Sequence, residues 1–141
     1  MTYGSIVYDP SGCWDSDIPL DRELNEQLAR AVLGWRRGED SSPPQGDIVQ
    51  AALQLTGYAH LLVREVQRKA AALPRDGQAS TVAARTLAQI TAREAVRRLS
   101  VAPVSTRQAL RVAQSRARLV EALHVALDRT LAVTLVPVSG P

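Results

Sequence analysis

"DIVQAALQLTGYAHLLVREVQRKAAALP" (residues 47–74) is the stretch on which the fold turns. Ile48, Ala52, Leu55, Ala59, Leu62, Val66, Ala70 and Leu73 follow one another at steps of 4, 3, 4, 3, 4, 4 and 3. Only a helix of about 3.6 residues per turn gathers those positions on one side, and the seam is the narrow kind that helices share in a bundle. Asp47 reads as the N-cap, with Gln50 at the reciprocal position of a capping box. Pro74, followed by "RDG", ends the element. Gly57 sits inside it and costs about 1 kcal/mol against alanine unless a neighbouring helix packs there.

The same periodicity extends to both sides. Upstream, Leu20, Leu24, Leu28, Ala31 and Trp35 line one face of a first helix over about 20–35, with Glu26 and Arg30 as an i,i+4 pair elsewhere on it. "GEDSSPPQG" (38–46) is a loop by composition. Downstream, a third helix over about 80–99 has a wide apolar face of Ala83, Ala84, Leu87, Ala88, Ile90, Ala92, Ala95 and Leu99. "SVAPV" (100–104) breaks it, and Ser105 with Gln108 forms a second capping box. A fourth helix then runs to about 130 with Ala109, Ala113, Ala117, Val120, Leu123 and Leu127 inward. Four amphipathic helices with short connections predict an all-α, mostly antiparallel four-helix bundle over residues 19–132. It is preceded by an acidic leader (1–18), expected to be flexible, and followed by a short tail (133–141).

Composition narrows the function classes. At 141 residues the chain builds one core, and that core is aliphatic because phenylalanine is absent and the aromatics are Tyr3, Tyr8, Trp14, Trp35 and Tyr58. Charge is divided along the sequence: residues 1–47 balance at −5 and residues 48–141 at +8. A lone Cys13 makes no internal disulfide, the start lacks the basic and apolar regions of a secretion signal, and no run approaches a membrane span. The expectation is a cytoplasmic protein.

Sixteen of the seventeen basic residues are arginine, and seven fall within 92–119. On a helical wheel Arg107, Arg111, Arg118 and Arg129 lie within about 40° of one another, opposite the apolar stripe of the fourth helix. Arg93 and Arg97 occupy the outer side of the third. These six form the candidate surface for a partner or polyanion. "RRLSVAPVSTRQALRV" has the outline of a helix-turn-helix. Yet the helix after the turn is long, rich in Leu and Ala and poor in Asn, Gln and Ser, and no aromatic stands among the arginines for stacking on bases. A solvated bundle face is therefore the favoured reading and a nucleic-acid grip the second.

Arg116 and Glu94 instead project into apolar arcs, where an ion needs a partner or a route to water. The hairpin register keeps the two apart, so Glu94 is expected to pair locally with Arg97 or Arg98, and Arg116 with Glu65 or the leader.

Reactive constellations are sparse. Glu121 and His124 have the i,i+3 spacing of carboxylate-bridged metal bundles, but position 57, three before His60, is glycine, so the second half of that motif is missing. His124 reads as a bundle residue sharing a polar edge with solvent, and His60 as a surface or interface histidine. No catalytic, metal or cofactor residues are assigned, and the balance leans away from an enzyme.

From "LTGYAHLLVREVQ" (55–67) onward the chain resembles a family of small, uncharacterised helical proteins of high-G+C bacteria, some labelled as natural-product biosynthesis proteins. Leu55, Gly57, Leu61, Leu62, Glu65 and Val66 match its pattern, as do Leu73-Pro74, Glu94-Ala95, Arg97-Arg98-Leu99, Ala117-Arg118-Leu119 and Ala122-Leu123, over roughly 50–128. Tyr58 stands where that family has His, Arg64 where it has Pro, and an extra residue separates Ala95 from the arginine pair. The resemblance implies a helical fold and an accessory protein of a gene cluster, with no reaction attached. The resulting expectation is a non-catalytic interaction protein that binds a protein partner or itself, with nucleic-acid regulator as the alternative and metal-binding bundle as the lesser one.

Overall fold

The computed structural model describes residues 21–36, 43–101 and 108–135, and among these the chain is four helices without a strand. They are α1 (Arg22–Gly34), α2 (Gln45–Ala72), α3 (Ala79–Leu99) and α4 (Ala109–Leu135). The largest interface joins α2 to α4; α3 packs on both, and α1 packs chiefly on α4. The all-α bundle read from periodicity is the observed fold. The leader (1–18), Arg107, the Ser105 cap and residues 136–141 lie outside the described residues.

Every position of the α2 seam is buried, and so are Ala109, Ala113, Ala117, Val120, Leu123 and Leu127 of α4. Leu55, Leu62, Val66, Val120 and Leu123 are enclosed almost completely, each side chain contributing about 1.5–3 kcal/mol on leaving water. Ala51, Tyr58 and Val63 are also buried, because α2 lies between neighbours on more than one side and a single seam does not serve both.

Several local expectations are corrected. Asp47 is not the cap: α2 begins at Gln45 after Pro44, with no side-chain cap bond, and Asp47 sits in the first turn, where an acid meets the positive end of the helix dipole. The buried face of α1 is offset by about one residue, or about 100°, from its apolar stripe. Its buried residues are Asn25, Ala29 and Val32, whereas Leu24 is 51% exposed and Ala31 faces out. The cause is polar: Asn25 Nδ2 donates to the Asp21 carbonyl at 2.8 Å and its Oδ1 accepts from Gln54 at 3.2 Å, so an amide is satisfied inside.

On α3 the contact face narrows to Thr81, Ala84, Ala88, Ala92 and Ala95, while Ile90 is 59% exposed and Ala83 lies outside. Alanine wins the inner positions because it lets the backbones approach. α4 continues through Leu135, three residues into the expected tail, since no Pro or Gly interrupts it before Pro137.

The α2–α3 turn is held by Arg85, whose Nη2 donates to the carbonyls of Leu73 (3.2 Å) and Pro74 (2.7 Å), groups left over at the end of α2. Gly77 has φ +72°, a left-handed conformation that glycine adopts without a Cβ penalty.

Candidate functional site

The arginines of the candidate surface remain on the outside. Arg93 and Arg97 on α3, and Arg111, Arg118 and Arg129 on α4, are all exposed. Arg97 is engaged: it and Arg98 clasp Glu94 at 2.7–2.9 Å, the local pairing anticipated for that acid. Hydrogen bonds from Arg97 and then Arg98 hold the Glu94 carboxyl below its usual range. Arg111, Arg118 and Arg129 make no ion pair among the described residues. Positions 111, 118 and 129 fall on one outer face of α4 at 100° per residue.

The polar groups that do converge lie between the helices. Tyr58 of α2 and His124 of α4 are 4% exposed each, and the phenolic oxygen is 2.7 Å from Nε2 with the rings edge to face at 64°. His124 thus does not share an edge with solvent. Burial first, and the Arg22 guanidinium second, push its pKa down, against an upward pull from Glu26 and Asp128. Burial also pushes the Tyr58 phenol up. Both partners are therefore held in their neutral forms.

Asp128, one turn after His124 on α4, takes a two-pronged bond from Arg22 of α1, at 2.7 and 2.8 Å. That bond is the main reason its carboxyl lies below the usual value. At the other end of α1, Gln114 Nε2 donates to the carbonyls of Val32 (3.2 Å) and Trp35 (2.9 Å). Residue 22 opposite 128, with 32 and 35 opposite 114, sets α1 antiparallel to α4.

Arg116 is 7% exposed and does not pair with Glu65, while the leader, its other expected partner, lies outside the described residues. Glu65 is bound to Arg68 instead, and Arg116 Nε donates to Thr56 Oγ1 at 3.1 Å. The Thr56 hydroxyl in turn donates to the Ala52 carbonyl at 2.7 Å, leaving its oxygen to accept. His60 is exposed, and so is Glu121. No group of three or more His, Cys, Asp or Glu side chains capable of holding a metal ion occurs among the described residues.

Periodicity could not have found the Tyr58–His124 pair, because each residue flanks its own apolar seam. The usable signal was weaker: Tyr58 stands one turn after Gln54 and Leu55, and His124 one turn before Asp128, on helices that meet. Arg116 was visible as an arginine in an apolar arc, but its partner depended on which helix crosses there.

No helix of the described chain is long and apolar enough to cross a membrane. The model of a family of unknown function, DUF6415, matches residues 24–131, which spans all of α2 and α3 and most of α1 and α4. No curated protein matches the chain. No solved structure matches it either.

Proposed function

The chain belongs to the DUF6415 family of unknown function, and we propose that it is a non-catalytic helical accessory protein that acts by binding a protein partner or a second copy of itself. The observation that carries this reading is the placement of aliphatic side chains on outer faces. Leu53 and Leu61 of α2 are 61% and 46% exposed, and Ile90 and Val96 of α3 are 59% and 47% exposed. The buried core is built without them, and partner surfaces draw on such residues. The enclosure of His124 against Tyr58 supports the non-catalytic part, since the imidazole is occupied by an internal bond. The resemblance to proteins of high-G+C bacteria labelled for natural-product biosynthesis supports a place beside such a pathway or its regulation, in the cytoplasm.

Sedimentation of the purified chain, together with affinity capture from its native host, tests the reading. Self-association or capture of one defined partner, lost in the Leu53→Glu/Leu61→Glu variant, is the expected result. A strict monomer that captures nothing, or capture indifferent to both substitutions, would overturn it.

A second reading, nucleic-acid binding, is favoured by the guanidinium groups of Arg111, Arg118 and Arg129, which are exposed and without an ion pair among the described residues. Three phosphate contacts would give a slope of about −2.7 for log affinity against log salt, since each contributes roughly −0.9. Arg111→Gln and Arg118→Gln should each flatten that slope by about one contact. Retention on DNA that is absent, or that does not respond to salt, removes this reading.

A further inference from the structure

One stripe of α2 is exposed along nearly the whole helix, and we propose that two copies of the chain pair through it, α2 against α2 in antiparallel sense with the two-fold axis at Gly57. From Gly46 to Ala71, every residue within about 40° of Gly57 at 100° per residue is exposed. Leu53 and Leu61 stand one turn to either side of the glycine and outside the core cluster. A Cβ built at Gly57 meets nothing within 4 Å, so the low point between the two leucines is open. The proposal rests on the partner-binding reading above and names the partner as a second copy of this chain.

A second copy is selected because the stripe complements itself when reversed. A two-fold axis at Gly57 sets positions equally far before and after it opposite one another. Leu53 then meets the partner's Leu61. Gln50, whose side-chain oxygen accepts hydrogen bonds, meets the partner's Arg64, and the end that carries Asp47 meets the partner's Arg68. Asp47 and Arg64 make no ion pair among the described residues, whereas Arg68 also holds Glu65.

Charge fixes the direction. The bases of the stripe, Arg64 and Arg68, both follow Gly57, and Asp47 precedes it. Parallel pairing would set each arginine beside its own counterpart, and like charges in contact are unfavourable. Antiparallel pairing sends them to opposite ends of the contact. At the crossing point a residue without a side chain lets the two backbones close, and leucines one turn away fill the grooves on both sides.

Sedimentation equilibrium of the full chain tests the pairing. A dimer is expected from micromolar concentration upward, and Leu53→Glu/Leu61→Glu should abolish it. Gln50→Glu adds an acid opposite the partner's Arg64 at two symmetric places and should tighten the dimer about threefold to tenfold, while Gln50→Lys should weaken it similarly. Gly57→Gln improves helix propensity but holds the backbones apart, so the protomer should remain folded with its dimer Kd raised about tenfold.

Direction is read with a short bis-maleimide cross-linker in a Cys13→Ser background. A mixture of Gln50→Cys and Arg64→Cys chains should give the mixed cross-link, and neither chain alone should link to itself. Self-linked Gln50→Cys, or a dimer indifferent to the substitutions at 50 and 57, would overturn the proposal. So would a strict monomer. A monomer that still captures a host protein through Leu53 and Leu61 would sink only the second copy and leave the partner-binding reading standing, whereas a monomer that captures nothing ends both.

Discussion

The hydroxyl of Tyr58 lies 2.7 Å from Nε2 of His124, and the two residues, 66 positions apart in sequence, are the polar joint between α2 and α4. A hydrogen bond of that kind adds little net stability when both partners are present, but removal of one leaves the other stranded away from water. Tyr58→Phe and His124→Leu are each expected to cost about 1–3 kcal/mol. The double variant should cost less than their sum, with a coupling of at least about 0.5 kcal/mol. Urea unfolding of the four proteins measures this, and strictly additive losses would show that the pair does not act as a unit.

The same histidine makes the fold sensitive to mild acid. Its folded pKa is lowered, chiefly by burial, so below about pH 6.5 the unfolded chain takes up a proton that the folded chain refuses. Stability is whole above that pH. It should decline by about 1.4 kcal/mol per unit as pH falls toward the folded value. Asp128 acts lower down: its carboxyl is held below the usual range first by Arg22, so its contribution is present above about pH 3.9 and lost as pH falls through its folded value. Urea midpoints between pH 4.5 and 8 should therefore slope for the wild type and flatten for His124→Leu. An unchanged slope in that variant would mean another group is responsible.

Gly57 lies mid-helix on an exposed side of α2, and a Cβ built there meets nothing within 4 Å. The close neighbour that would justify a glycine is absent among the described residues. Gly57→Ala should raise stability by up to about 1 kcal/mol through restricted backbone freedom. A neutral or destabilising result in thermal and urea unfolding would contradict that placement.

Neighbouring positions on α3 should respond in opposite ways. Ala88 is fully enclosed against the α2–α4 pair, so Ala88→Leu pushes the helices apart at a cost of about 1–3 kcal/mol. Ile90, although larger and more apolar, faces outward, and Ile90→Gln should change stability by less than about 0.5 kcal/mol. A larger loss for Ile90→Gln than for Ala88→Leu would show that Ile90, not Ala88, faces the bundle.

How much was legible in advance differs from helix to helix. α2 and α4 were readable because each buries one continuous apolar stripe, and burying that stripe outweighs any other orientation. α1 misled because its docking is governed by an amide: Asn25 looks like a surface residue until Gln54 and the Asp21 carbonyl are beside it. α3 was read too broadly, since Ile90 and Ala83 extend its apolar arc, yet the smallest side chains occupy the inner strip. The arginines of α4 were placed outward by their opposition to the stripe, and Arg111, Arg118 and Arg129 lie there.

Local spacing thus determined by itself that four helices form, which faces of α2 and α4 meet, and that Arg116 would be an ion among methyl groups. Tertiary structure alone decided who answers the polar side chains: Thr56 for Arg116, Tyr58 for His124, Asp128 for Arg22 and Gln54 for Asn25. The reason is physical. Apolar burial is non-directional and is written in the periodicity of one helix, whereas a hydrogen bond needs a particular atom within about 3 Å, and that depends on the rotation and axial register of a second helix.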